Sequence, residues 1–231
     1  MELDGGEPQR LTEGTDEDNH AGGLSPDGST VAFTSLRDRN PEIYLLDLDS
    51  CDEENLTRHP SEDWAPRWSP DGRSLLFASN RSRDWDIYEL LLEGRTLKNL
   101  TQHEAREGGA RYSRDGEWVA VHSDREGSMD IYVMRRDGSE LRRVTQGERD
   151  ESDPSWSPNG DWLAFHAVDD EGLGDVFIVR TDGTDLMQVT SSAGQDLFPV
   201  WSPVANEILL QSTRDLNAEL YLVTLGSLPE R

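Results

Sequence analysis

Trp68-Ser69-Pro70-Asp71-Gly72 is the stretch that sets the fold, because altered copies of it recur at a fixed interval along the chain. Aligned on the leading residue, the other copies are Leu24-Ser25-Pro26-Asp27-Gly28, Tyr112-Ser113-Arg114-Asp115-Gly116, Trp156-Ser157-Pro158-Asn159-Gly160 and Trp201-Ser202-Pro203-Val204-Ala205. Successive copies are 44, 44, 44 and 45 residues apart. A period in the low forties with strand-like segments inside it belongs to propeller blades rather than helical arrays. Within the marker, Pro presets φ at the second turn position, Asp or Asn bonds the nearby backbone, and Gly takes the left-handed position. The marker is therefore a hairpin corner. The fifth copy has lost both Asp and Gly, which leaves Asn206 as its expected left-handed residue and makes that corner the loosest.

Around the marker, each repeat reads as four strands. The innermost carries the column Leu24, Trp68, Tyr112, Trp156 and Trp201. The second covers 30–35, 74–79, 118–123, 162–167 and 207–212, with runs such as Leu75-Leu76-Phe77-Ala78 that are apolar on both faces, as expected of a strand sandwiched between neighbouring blades. The third begins Glu42-Ile43-Tyr44, Asp86-Ile87-Tyr88, Asp130-Ile131-Tyr132, Asp175-Val176-Phe177 and Glu219-Leu220-Tyr221, where β-branched and aromatic residues favour extended chain. The fourth ends in Leu-Thr or Val-Thr and alternates polar with apolar residues, which suits a half-exposed rim. Helical periodicity is absent.

The two ends complete each other. Residues 4–12 resemble the closing strand of a repeat, and the repeat that starts at 197 lacks one, so the opening strand is expected to complete the last blade and remove two sheet edges. The expected architecture is one all-β domain over 1–231. It is a five-bladed β-propeller with four-stranded blades at about 20–57, 64–101, 108–145, 152–190 and 197–225 plus 4–12.

Composition narrows the function classes. The formal net charge of −25 makes nucleic acid and anionic membrane surfaces poor partners. Lys98 is the sole lysine and the acidic excess is spread along the chain, a surface consistent with high-salt adaptation or with an acidic solubility coat. Cys51 is the single cysteine and cannot form an intrachain disulfide, and the apolar runs are strand-sized. A soluble monomer is expected. The start shows no secretory signal, which predicts a cytoplasmic protein if the chain is full length and a periplasmic one if a signal has been trimmed.

Trp-Ser-Pro-Asp-Gly followed by a Leu-Ala-Phe-like strand, a Ser-x-Arg loop, Asp-Ile-Tyr and Arg-Leu-Thr resembles the repeat of the TolB-like β-propellers, a WD-like group. All of the chain is covered. The bacterial translocation protein that names the family has six blades and a separate amino-terminal domain. The resemblance implies an interaction module with a protein or peptide partner.

Candidate site residues follow from strand order, which brings the loops leading into the first strands to one face with those joining second and third strands. Five positions before each marker aromatic lie Asn19, Asp63, Glu107, Glu151 and Asp196. They predict a ring of carboxylates at the channel mouth, with Trp64, Trp85 and Phe198 as apolar anchors for a basic peptide or a cation. Against this stands a structural role, in which each acid bonds its own loop or pairs with the recurring Arg37, Arg81, Arg125 or Arg214. Those arginines are in turn expected to brace their loops by pairing with Glu42, Asp86, Asp130 and Glu219, five residues on. Blade four departs with Asp169-Asp170-Glu171.

Chemistry finds little support. The acidic run Asp47, Asp49, Asp52, Glu53, Glu54 lacks the glycine turn and terminal glutamate of a calcium loop. His122 and His166 share one column and His59 and His103 another, with no third histidine to complete a catalytic metal site. The marker serines show no base oriented by a third group. The expectation is a non-catalytic platform that binds a protein or peptide, by charge a basic one, with no cofactor unless converging carboxylates hold Ca²⁺ in the channel. The alternative class is a metal-dependent lyase or hydrolase acting on a small saccharide in the channel.

Overall fold

Each repeat folds as an antiparallel meander in which strands consecutive in sequence pair side by side. The computed structural model, which describes residues 10–12 and 19–229, contains five such sheets. First strands run Asn19–Leu24, Asp63–Trp68, Glu107–Tyr112, Asp150–Trp156 and Asp196–Trp201. Second strands are Thr30–Ser35, Ser74–Ser79, Trp118–Ser123, Trp162–Val168 and Glu207–Ser212. Third strands are Glu42–Asp47, Asp86–Leu91, Asp130–Arg135, Gly174–Arg180 and Glu219–Thr224. Short fourth strands follow in blades one to four, and among the described residues the fifth blade has three. The closing strand expected over 4–12 lies outside the described residues up to position 9, and 10–12 carry no strand. A single turn, Glu93–Arg95, is the one helical element among the described residues, and none is long and apolar enough to cross a membrane.

The marker corner works as its residues dictate. Ser69 Oγ donates to Asp71 Oδ1 at 2.6 Å and accepts from Ser74 N–H at 3.0 Å, while Gly72 turns at φ +69°. In blade five the corner turns differently from expectation, since Asn206 is not left-handed. Its hairpin is still held by Ser202 N–H donating to the Glu207 carbonyl at 2.8 Å, and the Asn206 carbonyl accepts from Leu225 N–H at 2.8 Å. Val204 is correspondingly exposed.

Blades pack face to face through apolar side chains. Leu76 and Ile87 of blade two meet Val119, Val121 and Tyr132 of blade three in one buried cluster, and comparable clusters join one to two, three to four and four to five. The first strands touch in succession from blade one to blade five. Marker aromatics stitch the blades together: Trp68 Nε1–H donates to the Gly23 carbonyl and Trp156 Nε1–H to the Arg111 carbonyl, each at 3.0 Å.

One face breaks the series. Ile43, Ile87, Ile131 and Val176, the first residues of their Ile-Tyr or Val-Phe pairs, are each 0% exposed, whereas their fifth-blade counterpart Leu220 is 72% exposed and Leu222 60%. Among the described residues nothing covers that face as blades two to five cover the equivalent faces of blades one to four.

Candidate functional site

The innermost strands are not regular. Pairing with the second strand shifts register between Trp64 and Arg67, Ser152 and Ser155, and Leu197 and Val200. The extra residue of each bulge is left-handed: Ala65 at φ +56°, Asp153 at +53° and Phe198 at +54°, with Gly109 at +61° in blade three. Pro66, Pro154 and Pro199 follow and have no N–H to offer a ladder, which favours a bulge there. Bulges of this kind re-aim side chains.

The expected ring of carboxylates is built into the blades. Asp63, Glu107 and Asp196 are almost fully buried. Arg81 Nη2 donates to Asp63 at 2.7 Å, Arg214 Nη2 to Asp196 at 3.0 Å, and Arg125 pairs with Glu107. Although Asp86 and Asp130 are as buried as Asp63 and Glu107, Arg81, Arg125 and Arg214 reach back to the first strand of their own blade and not to the acids five residues on. Those acids take other donors. Asp86 accepts from Ser82, from Asn99 at 2.9 Å and from Thr101 at 3.0 Å, and Glu42 from Asn40 at 3.0 Å and His59 N–H at 2.9 Å. Burial raises Glu107 above the usual carboxylate range despite Arg125. In Asp196 burial is outweighed by Ser212, Arg214 and Thr190, and its pKa falls.

Blades one and four each lack one member of the pair. Blade one has Asn19 at the acid position, and Arg37 turns to Glu53. Blade four has no arginine in its loop: Glu151 is buried, its Oε2 has no partner among the described residues, and burial pushes its carboxyl up to about 7. The acidic loop that replaces the arginine is a turn in which Asp169 Oδ1 accepts from Glu171 and Leu173 N–H at 3.0 and 2.9 Å.

The aromatic candidates lie in blades two and five, each with its own contacts. Trp64 is half-buried, edge-on to His20 with centroids 5.1 Å apart, and its Nε1–H donates to Glu62 at 3.3 Å. Phe198 is 51% exposed and edge-on to His166 at 5.4 Å. Trp85 is half-buried in the adjoining loop, where its carbonyl accepts from Glu107 N–H at 2.8 Å.

Sequence reasoning passed over a second layer, in the column one position before each marker aromatic: Gly23, Arg67, Arg111, Ser155 and Val200. Arg67 and Arg111 are half-buried and sense each other and Asp153 of blade four. His122 Nδ1 accepts from Asp153 N–H at 3.3 Å, and His166 Nδ1 lies 3.9 Å from Asp153 Oδ2. Loss of water holds His122 down to about 4, so both it and its neighbour are neutral links between blades. Two arginines in a column otherwise uncharged was the signal. No group of three or more His, Cys, Asp or Glu among the described residues is placed to hold a metal ion.

Comparison with known proteins agrees with this architecture. Residues 1–224 match the TolB beta propeller domain family. Among solved structures, a putative TolB from Agrobacterium tumefaciens is 26% identical over 91% of this chain and 78% of that one, with a TM-score of 0.78. TolB from Acinetobacter baumannii is 24% identical over 90% of this chain and 52% of that one, TM-score 0.76, so this chain spans about half its length. An oligogalacturonate lyase in complex with manganese is 18% identical over 91% and 68%, TM-score 0.69, a likeness of fold alone. No match was found among curated proteins.

Proposed function

Because the chain belongs to the TolB beta propeller domain family, we propose that it is a non-catalytic platform that receives a protein or peptide partner at the mouth of its central channel. The observation that carries this reading is Phe198. A large aromatic held at φ +54° and left 51% exposed is strained and uncovered at once, a combination that suits a contact surface better than a packing role. With Trp64 across the mouth it supplies the rigid aromatic contact on which binding energy concentrates. Protein or peptide is also the partner class that the family resemblance implies.

Charge acts at longer range. Asp63, Glu107 and Asp196 are occupied by arginines and do not form a cation trap, but the net charge of −25 still draws a partner with basic flanks. The test uses the intact chain as bait, compared with Phe198→Ala and Trp64→Ala. A partner retained by the native protein and lost by both variants, with circular dichroism and melting temperature unchanged, supports the platform. Equal retention by both variants overturns it.

A further inference from the structure

Below the aromatic mouth, Arg67 and Arg111 follow the mouth positions of their strands by three or four residues, roughly 10 Å deeper at the rise of an extended chain. We propose that Arg67 and Arg111 form a site in the central channel for an oxyanion, a carboxylate or a phosphate group. This goes beyond the partner reading above, since an anion loads the channel whether or not a protein sits at the mouth.

The argument starts from what these two side chains lack. A guanidinium carries five N–H donors in a planar fork that matches carboxylate and phosphate oxygens. Arg67 spends Nη1 on the Gly22 and Pro66 carbonyls at 2.7 and 3.0 Å, and Arg111 spends Nη1 on the Ala110 carbonyl at 3.3 Å. Neither makes a salt bridge among the described residues, although Arg81, Arg125, Arg143 and Arg180 all do. In a chain with 47 acidic and 22 basic residues, two half-buried arginines without an ion pair stand against the composition.

Their surroundings leave the charge uncompensated. The column partners Gly23, Ser155 and Val200 are uncharged, and His122 and His166 are neutral. Asp153 is the one carboxylate that both arginines sense, and it also faces His166. Loss of water, and then repulsion from Arg67, hold Arg111 down to about 9. Two guanidinium groups against one carboxylate leave a net positive spot in a partly dehydrated channel, where an anion gains more than it would in water.

The experiment titrates the full chain at constant ionic strength with inorganic phosphate, N-acetylglycine and, as the uncharged control, N-acetylglycinamide. Binding is read from the arginine Nε–Hε resonances and by calorimetry. The expected result is saturable binding of phosphate or N-acetylglycine and none of the amide. Phosphate alone assigns the source to a phosphate ester, N-acetylglycine alone to a chain-terminal carboxylate, and either supports the site. Arg111→Gln and Arg67→Gln should each weaken binding about tenfold or more, while exposed Arg73→Gln leaves it unchanged. Each channel variant should also melt no lower than the native protein without anion, because repulsion is relieved. If neither anion saturates, or if folded Arg67→Gln and Arg111→Gln proteins bind as tightly as the native chain, the site is refuted.

Discussion

Glu151 occupies in blade four the place that Asp63, Glu107 and Asp196 occupy in theirs, but the loop that should deliver an arginine delivers Asp169 and Asp170 instead. A carboxylate left in a buried site without its cation holds a proton more firmly than water would allow it to. With a folded pKa of about 7 against an ordinary 4.5, the folded state binds the proton more tightly than the unfolded one. The stability this gives is fully present below the unfolded pKa and lost as pH rises through the folded one. Glu151→Gln keeps the neutral form at every pH. The variant should therefore match the native protein near pH 4.5 and gain on it toward pH 8, by up to about 3 kcal/mol at 1.36 kcal/mol per unit. Urea denaturation of the two proteins from pH 4.5 to 8 measures the difference, and a flat difference would show that Glu151 is ionised and solvated when folded. The paired acids respond to a different change. Removing the guanidinium in Arg81→Gln leaves Asp63 buried and unpaired, which should cost about 3–5 kcal/mol.

At the scale of the strand, the Leu-Thr or Val-Thr ending of repeats one to four fastens the outer segment to the third strand. Thr101 Oγ1 accepts from Ile87 N–H at 3.1 Å and donates to Asp86 at 3.0 Å. Thr57, Thr145 and Thr190 accept in the same way from Ile43, Ile131 and Val176. Thr101→Val retains the shape but leaves the buried Ile87 N–H and one Asp86 oxygen short of a partner, which should cost about 1–3 kcal/mol and loosen the Thr96–Asn99 strand first. Faster hydrogen exchange confined to that strand and its neighbour would confirm the fastening. Strands of this kind were legible because a 44-residue period repeats every signal: the second strands of blades one, two, three and five match their expected bounds, and Trp162–Val168 runs one residue longer. Pairing partners were less legible. An arginine five residues before one acid and eighteen after another can reach either, and the register that sets Asp63 opposite Ser79 brings Arg81 to Asp63. Bulges were hidden for the same reason: Ala65 and Phe198 are not residues that announce a left-handed backbone, and the prolines behind them are the only cue in the sequence.

Across the whole molecule, the apolar share of stability is a sum of blade-to-blade interfaces, since the buried clusters each join one repeat to the next. Five repeats in a ring would share five such interfaces. The buried clusters account for one to two, two to three, three to four and four to five, while the outer face of blade five shows Leu220 and Leu222 to solvent. The first blade's opposite face is already buried at Phe33, Tyr44 and Leu46, so the two faces are not equivalent. Equivalent positions in the repeat can therefore be compared directly. Ile87→Ala removes a side chain that is 0% exposed and should cost about 2–5 kcal/mol. Leu220→Ala, at the matching position but 72% exposed, should cost less than about 1 kcal/mol. Denaturant midpoints of the two variants, with the slope checked for constancy, decide between an uncovered face and a closed disc. A Leu220→Ala loss as large as that of Ile87→Ala means that blade five is covered in solution, which would give the fifth interface the same weight as the other four.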